Sequence, residues 1–239
     1  MQDKKHWFNK PCSWDNSRKL SNYHFDKSIN DSLNPDIVVD QIRFIGDWSN
    51  EIKLDQFKSG YNPETATTDL DNNFIARRWI QEMILLGQNP AERHNKRIKV
   101  SRETHPKIFK MPELLGIEGK INIHCQLTGD INYLHIDTYD VKNSTNSNAD
   151  YDLMIQQHPN TIRLMIHLTD WEWGHFVQFG NYIWSGWKAG SVGYWSWKDI
   201  PHATANAGHL PRIVGIVHGK ATPKFYDMLR NDDPIIINV

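Results

Sequence analysis

The spacing of hydrophobic positions changes its period once along this 239-residue chain. In the first half, apolar residues recur at helical intervals. Asn34-Pro35, followed by Ile37, Val38, Ile42 and Ile45, combines a cap, a proline suited to a first turn and helical spacing. That combination predicts a helix ending near Gly46. Over residues 69–86, Phe74, Ile75, Trp79, Met83 and Leu86 mark one face of a second helix, with Gly87 placed to terminate it.

From about Lys120 the period falls to two. Ile121, Ile123, Cys125 and Leu127 alternate with polar residues, and Thr128-Gly129-Asp130 predicts a turn. Ile131, Tyr133, His135 and Asp137 then fall on one face of the next strand. A polar loop, KNSTNSNAD, separates it from a run in which Ile162, Leu164, Ile166 and Leu168 oppose Arg163, Met165, His167 and Thr169. Further short strands are expected around Phe176 and over 192–197, 203–207 and 213–217. Many short strands divided by glycine-bearing turns predict a β-sandwich or barrel. The expected organisation is one domain over 1–239. Residues 1–119 form a helical support region, 120–219 a β-core and 220–239 a C-terminal tail.

Size and composition narrow the function classes. At 39% hydrophobic residues the chain can build one sizeable core. A formal net charge of −1 argues against a nucleic-acid partner, although Arg93, Lys96, Arg97 and Lys99 form a local basic group. No stretch approaches membrane-spanning length, and MQDKKHWFNK has no apolar core for a signal peptide. Of the two cysteines, Cys12 and Cys125, the latter sits in an alternating run and is expected to be a buried thiol. A soluble, cytoplasmic protein is the expectation. Twelve histidines and ten tryptophans are many for this length, which directs attention to metal sites and to large flat contact surfaces.

In HIDTYD, His135 and Asp137 are two residues apart, so on a strand imidazole and carboxylate project from the same face toward one ion. An isolated H-x-D arises by chance in a histidine-rich chain, as an exposed histidine beside a turn-capping aspartate. Here the pair ends an expected strand, and His202 in DIPHATAN offers a third ligand. Two histidines and a carboxylate on one side of an ion make the facial triad of non-haem iron oxygenases. Arg212 follows His202 by ten positions and is flanked by Ile213, Val214, Ile216 and Val217. Those neighbours predict a strand buried on both faces, and a buried arginine requires a partner.

The stretch from about Ile123 to Gly219 resembles the double-stranded β-helix core of the 2-oxoglutarate/Fe(II) oxygenases. WKAGSVGYWSWKDIPHATANAGHLPRIVGIV and RLMIHLTDWEWGHF are most similar to the aspartyl/asparaginyl β-hydroxylase-like branch. The resemblance implies a double-stranded β-helix (jelly-roll, cupin-like) core; together with the helical spacing of the first half, to which the resemblance does not extend, the expected fold is mainly β with N-terminal helices (α+β). It implies that His135, Asp137 and His202 hold Fe(II), that Arg212 pairs with the distal carboxylate of 2-oxoglutarate, and that Arg163 helps hold that co-substrate. Two departures stand out. Asp137 supplies a carboxylate that the aspartyl hydroxylases themselves lack. Val214 stands where many members have serine or threonine, so Tyr133, Thr128 or His124 would complete the co-substrate site. The implied activity consumes O2, decarboxylates 2-oxoglutarate to succinate and hydroxylates a peptidyl side chain or a small metabolite. Gly208 and Val214 occupy places where the nucleic-acid demethylase branch has arginines. The competing expectation is a cupin-like metal-binding protein, or a cupin-type dioxygenase or isomerase that does not use 2-oxoglutarate. His167, His175, His209 and His218 are expected to be hydrogen-bonded structural residues, and most tryptophans to be core or rim.

Overall fold

The computed structural model describes residues 37–59, 87, 96–135, 161–197, 200 and 202–239. Twelve strands and two α-helices occur among them. The strands are β1 (Ile37–Ile45), β2 (Lys58–Ser59), β3 (Lys96–Lys99), β4 (Ile117–Gln126), β5 (Ile131–His135) and β6 (Thr161–His167). Then follow β7 (His175–Phe179), β8 (Tyr182–Trp184), β9 (Ser191–Trp195), β10 (His202–Asn206), β11 (Arg212–Ala221) and β12 (Ile235–Asn238). The helices are α1 (Pro106–Leu114) and α2 (Pro223–Leu229).

Strands β4 to β11 pass back and forth between two sheets. The larger sheet has the order β12-β1-β9-β6-β11-β4-β3-β2, and the smaller one β5-β10-β7-β8. Inside the larger sheet, the pairs β9–β6, β6–β11 and β11–β4 are all antiparallel, as are β5–β10, β10–β7 and β7–β8 in the smaller. This winding is the double-stranded β-helix.

Strict alternation on β11 explains how the sheet is buried on both sides. Ile213 and Val217 belong to a cluster with Ile121, Ile123, Cys125, Ile162, Leu164 and Ile166, covered by Ile108 and Met111 of α1 and by Phe225 and Leu229 of α2. Val214 and Ile216 point the other way, into a cluster with Met165, Val177, Phe179, Trp184, Trp187 and Trp195. The second cluster draws on both sheets and therefore lies between them. The apolar alternation of β4 and β6 thus faces the helices, and the opposite face of β6 lines the interior. Met165 and His167 on that face are buried, so it is not a solvated face.

The helix expected at residues 37–45 is instead β1. Ile37, Val38 and Val39 pair with Trp195, Tyr194 and Gly193, and the register then shifts before Arg43 meets Ser191. Asp40 sits in the shift with φ 61°, and its carboxylate accepts a 2.9 Å bond from Trp184 Nε1. Four steps along β1 match two along β9, so β1 carries two extra residues there and keeps its phase. Ile37 and Val39 face the cluster between the sheets, and Val38, Ile42 and Phe44 face the helix-covered one, so burial on both faces imitates helical spacing. The β-branched composition of IVVDQIRFI agrees with the strand.

Two further corrections follow. The described parts of 1–119 supply β1, β2 and β3 to the larger sheet, and α1 is their one α-helix. The tail expected at 220–239 contains α2 and then β12, which pairs parallel with β1 through Ile42–Ile235 to Ile45–Asn238. The helix expected over 69–86 lies outside the described residues; Gly87, just beyond it, occupies a turn with φ 70°.

Candidate functional site

His202 opens β10 and is 4% exposed, with its ring 4.9 Å from that of Trp195. Its neighbours across the sheet are Phe179 on β7 and His135 on β5. Directly opposed residues of an antiparallel pair have Cα atoms about 4.5–5.5 Å apart, so the two histidines start from adjacent backbone positions.

That alignment depends on an irregularity. Ala205 is opposite Ile131 and Thr204 opposite Asn132, yet His202 is opposite His135. Three steps along β5 match two along β10, so β5 carries one extra residue. The expectation that Ile131, Tyr133, His135 and Asp137 share one face is corrected accordingly. Ile131, 48% exposed, belongs to the row of Ala205, and His135 belongs to the row of His202. Alternation counted along the sequence misses the change of phase. Asp137 and the side chains of Tyr133 and His135 lie outside the described residues. Among the described residues no group of three or more His, Cys, Asp or Glu is arranged to hold a metal ion.

Arg212 is the first residue of β11 and is 2% exposed. Its Nη1 donates to Gln126 Oε1 at 2.7 Å, and Gln126 Nε2 donates to Thr204 Oγ1 at 3.0 Å. This relay joins β11 and β4 of one sheet to β10 of the other, two residues from His202. The guanidinium carbon lies 5.6 Å from the Trp187 ring centre, a cation–π distance, and Nη2 is 4.0 Å from Met165 Sδ. Nε has no hydrogen-bond partner among the described residues, and none of them supplies Arg212 with a carboxylate. Burial lowers the Arg212 pKa from its usual value to about 9, which still leaves it cationic at neutral pH. A charge held this way, without a counter-ion among the described residues, is costly.

Gln126 was not singled out in the sequence, because a polar residue ending a strand carries no signal of what lies opposite it. Of the expected co-substrate donors, Thr128 is in the exposed turn after β4. His124 is level with Val214 on β4, and burial followed by the nearby charges of Arg163 and Arg97 depresses its pKa to about 3. Arg163 is level with His218, six residues along β11 from Arg212. At about 3.3 Å per residue that separation is on the order of 20 Å, so the fold does not bring the two arginine positions side by side.

The expected hydrogen bonding of the histidines holds for His175, whose Nε2 lies 2.8 Å from Leu210 O. It fails for His167. That ring is 0% exposed, and neither nitrogen has a hydrogen-bond partner among the described residues. It stacks on Trp187 at 3.7 Å and meets Trp184 edge-on at 4.6 Å. Burial, reinforced by the Arg212 charge, pushes its pKa well below the ordinary histidine value. Trp184, Trp187, Trp195 and Trp197 are core as expected, whereas Trp173 is exposed.

No family model matches the chain, and no curated protein sequence matches it. Among solved structures, a viral collagen prolyl hydroxylase from Paramecium Bursaria Chlorella virus-1, described as a 2OG complex, is similar at 16% identity. The match covers 61% of this chain and 88% of that one, with a TM-score of 0.38. The non-heme alpha-ketoglutarate-dependent epimerase SnoN of nogalamycin biosynthesis is similar at 12% identity, covering 75% and 86%, with a TM-score of 0.39. A Cupin 2 conserved barrel domain protein from Salinispora arenicola CNS-205 is similar at 9% identity, covering 57% and 83%, with a TM-score of 0.31. Likenesses this low decide nothing about chemistry, and the double-stranded β-helix stands on the strand order of this chain itself.

Proposed function

We propose that this protein is an Fe(II)- and 2-oxoglutarate-dependent oxygenase. His135, Asp137 and His202 would hold the iron, and Arg212 would hold the distal carboxylate of 2-oxoglutarate. The observation that carries this reading is Arg212: a cationic guanidinium, almost fully buried between the sheets, with an unpartnered Nε and no carboxylate from the described residues. A planar fork of N–H groups in such a place suits a carboxylate ligand. The adjacent positions of His135 and His202 support the iron part, since two imidazoles and one carboxylate leave coordination positions open.

The bound iron and 2-oxoglutarate would supply the oxidation, with decarboxylation to succinate. The residues of this chain bind, orient and exclude water. Gln126 fixes the Arg212 guanidinium, and Thr204 fixes Gln126. Trp195 packs against His202, and Trp187 covers one side of Arg212. The substrate class that accompanies this reading is a peptidyl side chain or a small metabolite.

The test is the visible spectrum of the purified protein, without oxygen, on adding Fe(II) and then 2-oxoglutarate. The expected result is a weak charge-transfer band that requires both additions and disappears in Arg212→Met. Iron binding with no response to 2-oxoglutarate would overturn the proposal in favour of a cupin-type metal protein.

A further inference from the structure

Four polar atoms close to one another between the sheets have no hydrogen-bond partner among the described residues: Arg212 Nε, Trp187 Nε1 and both ring nitrogens of His167. The His167 and Trp187 rings stack with an interplanar angle of 9°, and Arg212 lies over the same indole. His167 is directly level with Val214, two residues from Arg212 on the same face of β11. Val214 offers no donor of its own there.

Burying an N–H without an acceptor costs its full desolvation. Guanidinium and indole are donors only, and a neutral imidazole contributes one donor more. What this group lacks is therefore an acceptor with several lone pairs, and the Arg212 charge selects a negative one. Of the neighbouring polar groups, His175 Nδ1 is also without a partner among the described residues, and the others named here are engaged. Gln126 Oε1 accepts from Arg212 Nη1, and His175 Nε2–H donates to Leu210 O.

We propose that His167 and Trp187 form, with Arg212, the receptor for the distal carboxylate of a 2-oxo dicarboxylic acid. Trp187 Nε1–H and one N–H of His167 donate to carboxylate oxygens alongside Arg212 Nε–H. The identity of the ligand rests on the oxygenase reading; the receptor itself rests on the orphaned donors. Its specificity follows from the geometry: a 2-oxo acid without a second carboxylate gains nothing from these three groups.

The experiment uses the full chain loaded with Fe(II) without oxygen, and the variants His167→Phe and Trp187→Phe, which keep a ring and lose the N–H. The 2-oxoglutarate Kd is expected to rise about tenfold or more in each, as for a lost hydrogen bond to a charged group. The affinity for pyruvate, which lacks the second carboxylate, is expected to stay the same. The melting temperature without ligand should not fall in His167→Phe, because a buried unpaired donor has been removed. Equal losses for both acids, or a lower melting temperature with 2-oxoglutarate affinity retained, would mean a packing role and overturn the proposal. A loss confined to His124→Phe would overturn the assignment to His167. If wild-type protein gives no response to 2-oxoglutarate, the oxygenase reading fails, and glutarate added to metal-free protein still reads the receptor. Thermal stabilisation by glutarate that both variants lose upholds it, and none in wild type overturns it as well.

Discussion

His135 and His202 stand directly opposite one another on antiparallel strands, and one extra residue in β5 is what brings them level. His202 is also level with Phe179 and packed on Trp195, so its ring has little freedom. A ligand held in place by its surroundings binds metal without first having to be ordered.

Replacing either histidine by alanine is expected to weaken Fe(II) binding by at least about a hundredfold, since a ligand matters more than the outer contacts that already cost 10–100-fold. Anaerobic titration with Fe(II) measures this, with circular dichroism to verify the fold. A change below about threefold in both variants would remove these positions from the metal site.

Arg212→Met should abolish the response to 2-oxoglutarate and leave Fe(II) affinity intact. Stability in denaturant is expected to be unchanged or to rise by up to about 3 kcal/mol, because a buried charge is replaced by an apolar chain of similar length. Gln126→Leu removes the bond that aims the guanidinium, and should raise the 2-oxoglutarate Kd about tenfold. An Arg212→Met protein that is several kcal/mol less stable would show that the guanidinium is a structural strut.

The buried histidines set an acid limit. Burial lowers the pKa of His124 to about 3, that of His167 well below 6.5, and that of His175 less far. Each is neutral in the folded chain and takes up a proton on unfolding once the pH is below about 6.5. Their stabilising effect is complete above that pH and is lost as the pH falls toward the folded values. For fully buried His167 alone the loss is about 1.4 kcal/mol per pH unit. Thermal unfolding between pH 7 and 4.5 should therefore show a falling melting temperature, with a shallower slope in His167→Phe. Equal slopes would contradict a neutral buried imidazole.

Gly190 tests the docking of β1. It has φ 88°, and a Cβ there would run into the backbone of Phe44. Its carbonyl accepts from Phe44 N at 3.0 Å, and its own N–H donates to His167 O at 2.6 Å. Gly190→Ala is expected to cost 2 kcal/mol or more, roughly the strain of a positive φ added to that of overpacking, measured by urea denaturation. Tolerance of alanine would mean that β1 is not held against this turn.

The period-two runs of β4, β6 and β11 were legible in the sequence, because alternation of apolar and polar residues is a local property of a pleated chain. His202 and Arg212 were legible as candidates, because residue type and spacing limit which ligands a strand can offer, and the structure buries both; Asp137 lies outside the described residues. The helical spacing at residues 37–45 misled, since β1 is buried on both faces, and those two faces exist only once β1 pairs with β9 in the larger sheet. The bulge of β5 likewise needs β10 to define it. Gln126 gained its role from Arg212, 86 residues away, and His167 from Trp187 and Arg212, one on a connecting loop and the other on another strand. The sequence determined which groups were available and which segments would be strands. Register, bulges and the choice between inner and outer face were decided only when strands far apart in the chain paired, because the hydrogen bonds and burial that fix them have no local counterpart.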